Sequence, residues 1–248
     1  MSGHYRATGI NLKRQPLGEA DLLVTIFTRE RGIIRAVAKG AKKARSKLGG
    51  RMDLFVVNDL LLYQGRSLDV IEQGETLHSF NHLSRDLGRL GTAQYWAEGI
   101  LAEGVSGQAH PELFDLFLEH LGRIEGCAPE LISGQLVHGL YRLLDVSGVA
   151  PGVATCTVSG RVLHSEAAGF SITLGGLVAA EYQKEGQAVL PLTQEQVMAL
   201  QWLPQPNLPP DVLQAGVWIS LERCLRRYLE FYLQRSVRSA ALLEVCLG

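Results

Sequence analysis

Hydrophobic and polar positions follow a two-residue period through roughly the first 78 residues, and a three-to-four-residue period takes over beyond that. Ile10 and Leu12 alternate with polar neighbours. Leu22, Leu23, Val24, Ile26 and Phe27 then form an apolar, partly β-branched run that stops at Thr28-Arg29-Glu30-Arg31-Gly32, which is turn chemistry. Residues 33–38 follow at once, so the pair reads as a hairpin. A second rich run, 54–63, is joined by the turn 64–67 to a partner at 68–71. Five short strands in so few residues predict a small closed or partly open barrel, because small sheets avoid exposed edges by closing. The five-stranded oligonucleotide-binding barrel is the commonest solution of this size. Tyr63, Phe27 and Phe55 could stack on bases, but their apolar neighbours assign them to the barrel core.

From Ser79 to Asp145 the apolar residues recur at helical steps, as in Leu83-Leu87-Leu90, Leu113-Leu116-Phe117-Leu121 and Leu136-Leu140-Leu143-Leu144. Pro111 and Pro129 mark helix starts, where the missing N–H costs nothing. His78 and His82 read as a pair at the start of the first helix. Residues 147–190 are punctuated by Gly148, Gly152, Gly160, Gly169, Gly175, Gly176 and Gly186, a pattern of turns that describes a small insertion. A final helix is predicted from Asp211 to about Arg235. Leu221, Leu225, Tyr228, Leu229 and Tyr232 lie on its core-facing side and Arg223, Arg226 and Arg227 on the other, with Arg235 and Arg238 beyond. The predicted fold class is α+β and multidomain. It comprises an oligonucleotide-binding barrel (1–78), a helical domain in two parts (79–147 and 191–248) and the insertion (148–190).

Charge sharpens this picture. The chain of 248 residues has a net charge of −1, yet its first 51 residues carry twelve Lys or Arg against Glu19, Asp21 and Glu30, a local balance of +9. The remaining residues balance at −10. Cations segregated in this way describe a docking surface for a polyanion. Composition is that of a globular protein, with 46% hydrophobic and 20% charged residues. The polar N-terminus lacks a secretory stretch, and no run suffices to span a bilayer, so a cytoplasmic location is expected. Cys127, Cys156, Cys224 and Cys246 are far apart and form no CxxC pair.

A search for catalytic chemistry finds little. Gly40 to Lys47 has a faint P-loop character, but Arg45 replaces the second glycine of GxxxxGK[ST] and the Lys-Ser order is wrong. Ser79 stands where a zinc protease built on His78 and His82 would need its glutamate. No serine lies in a G-x-S-x-G elbow. The chain therefore reads as a binder. Its best functional segment is 39–51, with six cations, no acid and Gly40, Gly49 and Gly50 as hinges, a mobile loop between two barrel strands.

At these residues the chain resembles the RecO family of bacterial DNA-repair proteins. The resemblance is carried by Gly18-Glu19-Ala20-Asp21, the run to Phe27-Thr28, Gly32, Val37-Ala38-Lys39-Gly40-Ala41-Lys42-Lys43 and Ser46-Lys47. It continues through Leu113-Phe114, Tyr141-Arg142-Leu143-Leu144 and Gly148-Val149-Ala150-Pro151 before Cys156. The resemblance implies the barrel, a helical domain with a zinc-finger-like insertion, and no enzyme activity. It also implies binding of single- and double-stranded DNA, strand annealing, engagement of the single-strand-binding protein's tail, and action with RecR in loading RecA. The matching basic positions are Arg35, Lys39, Lys42, Lys43, Arg45 and Lys47, with Lys13, Arg14 and Arg51 added on charge and nearness in sequence. A set for the acidic tail is Trp218, Arg223, Arg226, Arg227, Tyr228 and Arg235. A bacterial cytoplasmic, nucleoid-associated location follows from the same resemblance.

One departure stands out. Many members carry CxxC twice in the insertion, but here Cys156 is followed by Ser159, and the second pair falls near Ala179 and Tyr182. One ligand of four remains, and His164 cannot complete a tetrahedral set. The expectation is an insertion that folds without metal, with Cys156 inert. Two readings from other classes stay open: an RNA-binding or ribosome-associated adaptor, and a hydrolase whose site is assembled across domains.

Overall fold

A single 14-residue strand, β1 (His4–Leu17), serves two partners. In the computed structural model its later part pairs with β2 (Asp21–Thr28), while its earlier part also meets β4 (Val56–Tyr63), both antiparallel. Leu12 is the extra residue between the pairs Asn11–Ile26 and Lys13–Thr25. A bulge of this kind bends a strand and so lets it close a barrel. It also shifts the simple alternation, so that Ile10, Asn11 and Leu12 are all buried. β3 (Gly32–Ala38) completes the hairpin with β2, and Gly32 adopts the left-handed φ of 63° that the turn requires. β5 (Asp69–Ser79) lies antiparallel to β4 and parallel to β3. The order β1-β2-β3-β5-β4 closes on itself, an oligonucleotide-binding barrel.

The alternation that predicts these strands also fills the barrel. Val24, Ile26, Ile34, Ala36, Leu60, Leu62 and Ile71 point inward and are all less than a tenth exposed. Met52, from the 3-10 turn Gly50–Met52, inserts among them with no exposure at all. Around this plug, buried Asn11 donates to the carbonyls of Arg51 (2.7 Å) and Asp53 (2.9 Å), and buried Asn58 donates to Arg51 as well (2.9 Å). Satisfying its donors in this way offsets much of the cost of burying an amide. Phe55 is held in a left-handed conformation, φ 60°, by its N–H on the Asn11 carbonyl and its own carbonyl accepting from Phe80.

Two expectations are corrected here. The fifth strand runs on to Ser79, beyond residue 71, where the residue pattern ends it, and beyond Glu75, to which the family resemblance extends it. His78 therefore belongs to β5 and His82 to the 3-10 turn Asn81–Arg85, so the two do not share a helix face.

The structure describes residues 3–103, 108–164, 166, 168–183, 188–209, 213–241 and 243. The chain divides into two compact units, Met1–Leu90 with Gly99–Glu125, and Gly91–Glu98 with Gly126–Gly248. Helix α1 (Leu87–Glu103) is divided between them. In the first unit, α2 (Pro111–Gly126) covers one end of the β2–β3 face. Phe114 meets Phe27 edge-on at 5.5 Å, and Arg29 grips Asp115 through two bonds of 3.0 and 2.7 Å.

The second unit is built on α3 (Ile132–Val146), eleven of whose fifteen residues are buried. Glycines make room for two indoles, since a Cβ at Gly139 would lie 2.4 Å from the Trp96 ring and one at Gly134 would lie 3.2 Å from Trp218. The insertion forms a sheet of order β7-β6-β8 from β6 (Ala168–Ser171), β7 (Gly176–Ala179) and β8 (Val189–Leu192). Helix α4 (Gln194–Trp202) opens with a capping box between Thr193 and Gln196. Helix α5 (Ala215–Leu233) begins later than expected, and Asp211, Gly186 and Cys246 lie outside the described residues. Leu221, Leu225 and Leu229 are buried as anticipated, whereas Tyr232 is 49% exposed and leaves the core-facing side. No described helix is long and apolar enough to cross a membrane.

Candidate nucleic-acid interface

Strand register gathers cations that are distant in sequence. Lys13 pairs with Thr25 and Thr25 pairs with Arg35, so the three form a row across β1, β2 and β3. Their inward neighbours Val24, Ile34 and Ala36 are buried, which turns Lys13 and Arg35 to solvent. The β3–β4 connection then supplies exposed Lys39, Lys43, Arg45 and Lys47. These six cations form no ion pair with a described residue.

That connection is a set of pinned turns, where sequence suggested an open mobile loop. The Gly40 N–H donates to the Asp21 carboxylate (2.7 Å), and the Lys42 N–H donates to the Ala20 carbonyl (2.9 Å). Further on, the Lys43 and Ser46 N–H groups donate to Gly40 and Lys43. Ala41 is buried and Leu48 packs on the barrel core. The lysines thus project from a fixed base beside the β1–β2 loop, and in barrels of this type that loop and the β2–β3 face are the ligand surface.

Three other cations proposed from sequence are engaged by the protein itself. Arg14 pairs with Asp53. Arg51 donates to the Gly74 carbonyl and so ties the plug to β5. Lys42 remains exposed, but its Nζ reaches the Gly18 carbonyl at 3.2 Å.

The β4–β5 side of the barrel differs in character. It carries a groove of about 560 Å³ in which Arg6, Lys47 and Arg51 face Asp59, Glu72 and Glu75. Arg6 is paired with Asp59 at 2.8 Å, and Glu72 lies 3.0 Å from His4. Charge is balanced there, with Lys47 shared between this groove and the β3–β4 turns, and unbalanced around Lys13, Arg35, Lys39, Lys43 and Arg45. Phe27 and Phe55 are core residues at 2% exposure, but Tyr63 is 37% exposed and leaves the core group to which its neighbours assigned it. Strand alternation carries the signal, since Leu60 and Leu62 point inward and Leu61 and Tyr63 cannot.

On α5 the expected partner set separates. Trp218 is 4% exposed and packs on α3, so it offers no surface. Arg226 is largely buried and pairs with buried Glu222 at 3.3 Å. Tyr228 donates to the Val149 carbonyl at 2.9 Å and lies edge-on to Phe170. Arg223, Arg227 and Arg235 are exposed, as are Phe231 and Tyr232.

In the insertion, the fully buried Cys156 Sγ accepts the Ala179 N–H at 3.4 Å. Burial pushes this thiol up, but the Ser159 side chain and the N–H groups of Ala179, Ser159 and Val158 more than offset it, holding it below the usual thiol range. A structural zinc needs four Cys or His ligands. Ser159 and Ala179 supply none, Tyr182 is 39% exposed, and among the described residues no group of three or more His, Cys, Asp and Glu could hold a metal. Among the described residues, Cys156 has no second thiol at the positions where the family carries its CxxC pairs.

A closed five-stranded barrel with unbalanced cations in one sector, followed by helices, defines a protein of the oligonucleotide-binding-barrel class. Residues 1–80 match the family described as Recombination protein O N terminal, and residues 84–241 match Recombination protein O C terminal. The chain is 54% identical to the DNA repair protein RecO of Gloeobacter violaceus, over 99% of this chain and 95% of that one. It is 48% identical to the protein of that name from Synechococcus sp. (strain JA-3-3Ab), covering 99% and 87% of the two chains. It is 41% identical to that of Acaryochloris marina, covering 99% and 96%. The chain belongs to the RecO family of DNA repair proteins.

Proposed function

We propose that this protein is a non-enzymatic recombination mediator that binds DNA through the cationic sector of its barrel and anneals complementary strands. With RecR, it helps to load RecA on DNA coated by single-strand-binding protein. The observation that carries the reading is the row Lys13–Thr25–Arg35 with Lys39, Lys43, Arg45 and Lys47 in the turns that follow β3, six exposed cations that form no ion pair among the described residues. Two single strands repel each other. A cationic surface that holds one strand by its phosphates leaves its bases open and lowers the cost of approach for the second. Phosphate contacts carry no base information, so binding is weakly sequence-dependent and strongly salt-dependent. Six contacts give a slope of log K on log salt of roughly −4 for a single strand.

The acidic, apolar-tipped tail of a single-strand-binding protein suits the exposed part of α5, where Arg223 and Arg227 precede Phe231 and Tyr232. The insertion supports this function as a metal-free structural element in which the Cys156 sulfur is an internal hydrogen-bond acceptor.

Fluorescence annealing of complementary oligonucleotides at several salt concentrations tests the reading. The parent accelerates annealing, and a folded variant with Lys39, Lys43, Arg45 and Lys47 changed to alanine does not. A parent that accelerates nothing, or that strongly prefers strands bearing 2′-hydroxyls, contradicts it.

A further inference from the structure

The strand register that lines up Lys13 and Arg35 also lines up a row two residues further along. Gln15 pairs with Leu23, Leu23 with Val37, Val37 with Val70, Val70 with Tyr63, and Tyr63 with His4. The row passes through all five strands. Its flanking positions Leu22, Val24, Ala36, Ala38, Leu62 and Ile71 are inward and buried, so the row itself faces outward. Leu23, Val37 and Val70 are half-buried, Tyr63 is 37% exposed, and its ring meets the exposed His4 imidazole edge-on at 5.4 Å. A sheet exterior needs no such apolar stripe, because outward positions on a solvated face are ordinarily polar.

Cations border the stripe on β1, on β3 and beyond Tyr63, while on β5 exposed Glu72, 3.0 Å from His4, borders it. Arg35 precedes Val37 by two residues on β3 and Lys39 follows it by two, Lys13 precedes Gln15 on β1, and exposed Arg66 stands in the β4–β5 connection just past Tyr63. We infer that this belt, from Leu23 through Val37 and Val70 to Tyr63, is a platform for the unpaired bases of a single strand, with Tyr63 as its stacking residue.

The occupant follows from the combination. An apolar stripe ending in an aromatic ring and edged on β1, β3 and the β4–β5 connection by cations without an ion pair among the described residues matches a polymer with flat apolar faces on an anionic backbone, which is single-stranded nucleic acid. A duplex hides those faces and would meet only the cations. Three of the five inter-strand steps of the closed barrel lie between Leu23 and Tyr63, about 14 Å along its curved outer surface at roughly 4.8 Å each, room for a short single-stranded segment. The inference rests on the DNA-binding reading above and adds what that reading lacks, a surface that distinguishes a single strand from a duplex.

The test uses the full-length protein and two fluorescein-labelled probes of equal length, a mixed-sequence single strand and an abasic strand with the same phosphate backbone. Tyr63→Ala should weaken binding of the base-bearing strand roughly tenfold, the effect of losing one stacked base. It should leave the abasic strand, the duplex and the salt slope as in the parent, and Tyr63→Phe should restore affinity. If Tyr63→Ala weakens both strands equally, or neither, while a Lys39→Ala/Lys43→Ala variant loses both, the belt is overturned and the cationic reading survives. If the parent binds neither strand in a salt-dependent way, both readings fall together.

Discussion

Lys13 and Arg35 stand on either side of Thr25, turned to the same solvent, on strands that flank a common neighbour. Two inter-strand steps separate them, about 10 Å, which is comparable to the Debye length at physiological salt. Like charges at this spacing repel mildly, and a fold under no other demand would place a carboxylate between them. Arg6 and Asp59 show that this barrel makes such pairs elsewhere. The unrelieved repulsion becomes favourable once phosphates occupy the row.

Changing both residues to alanine should therefore flatten the salt dependence of single-strand binding. Each lost phosphate contact removes roughly 0.7 from the slope of log K on log salt. The Lys13→Ala/Arg35→Ala variant is expected to bind with a slope shallower by about 1.4 and with an unchanged melting temperature, both readable from anisotropy titrations and a thermal scan.

Arg51 should behave in the opposite sense. Its guanidinium holds the Gly74 carbonyl beside the Met52 plug. Arg51→Ala is expected to cost stability, about 1.5–3 kcal/mol for a charged hydrogen bond, with the salt slope kept. Chemical denaturation measures the first effect and the titration the second.

In the second unit, a Cβ at Gly139 would lie 2.4 Å from the Trp96 ring, and Trp96 itself donates to the Leu136 carbonyl at 3.2 Å. Neither partner can withdraw without opening the core. Gly139→Ala should destabilise the fold by about 1–3 kcal/mol, although alanine is the better helix former. A melting temperature equal to the parent's would contradict this packing.

Glu98 gives a pH prediction. Burial pushes its carboxyl up, but the Ser239 hydroxyl and the N–H groups of Ser239 and Arg238 bond it at 2.6, 2.8 and 3.0 Å and, with Arg235, bring it below the usual carboxylate range. A depressed folded-state pKa contributes stability that is full above the unfolded carboxylate range and is lost as pH falls through the folded value. Stability should drop as pH falls below the unfolded glutamate value of about 4.3, and Glu98→Gln should make that drop shallower in denaturation curves recorded across the acid range.

Chelation should not affect the insertion. EDTA is expected to leave the melting temperature unchanged, while Cys156→Ala strands the Ala179 N–H and costs about 1–3 kcal/mol. Loss of structure on chelation, or stoichiometric zinc in the purified protein, would contradict a metal-free insertion.

Much of this architecture is legible in the sequence, for identifiable reasons. Two-residue alternation marks β2, β3 and β4 because one face of each is buried and the other is wet. The long β1 is harder to read, since the bulge at Leu12 shifts its phase and only the partner strand shows where. Charge alone cannot say whether an arginine serves the protein or a ligand: Arg51 and Arg35 look alike in sequence, yet one bonds a carbonyl and the other faces solvent. Trp218 could have been recognised as core, because it precedes Leu221 and Leu225 at helical spacing. Tyr63 was obscured by three leucines before it, and only the register with His4 and Val70 shows its outward face. The packing of α2 on the barrel, through Phe114 and Asp115, has no local signal at all.

The most direct test of the central claim compares two folded variants for salt-dependent single-strand binding. One has Lys13, Arg35, Lys39, Lys43, Arg45 and Lys47 changed to alanine, and the other has Arg6 alone changed, on the charge-balanced side. The account predicts that the first loses most of its affinity and nearly all of its salt slope while the second binds like the parent. Parent-like binding by the first variant would place the DNA elsewhere on the protein and contradict the account.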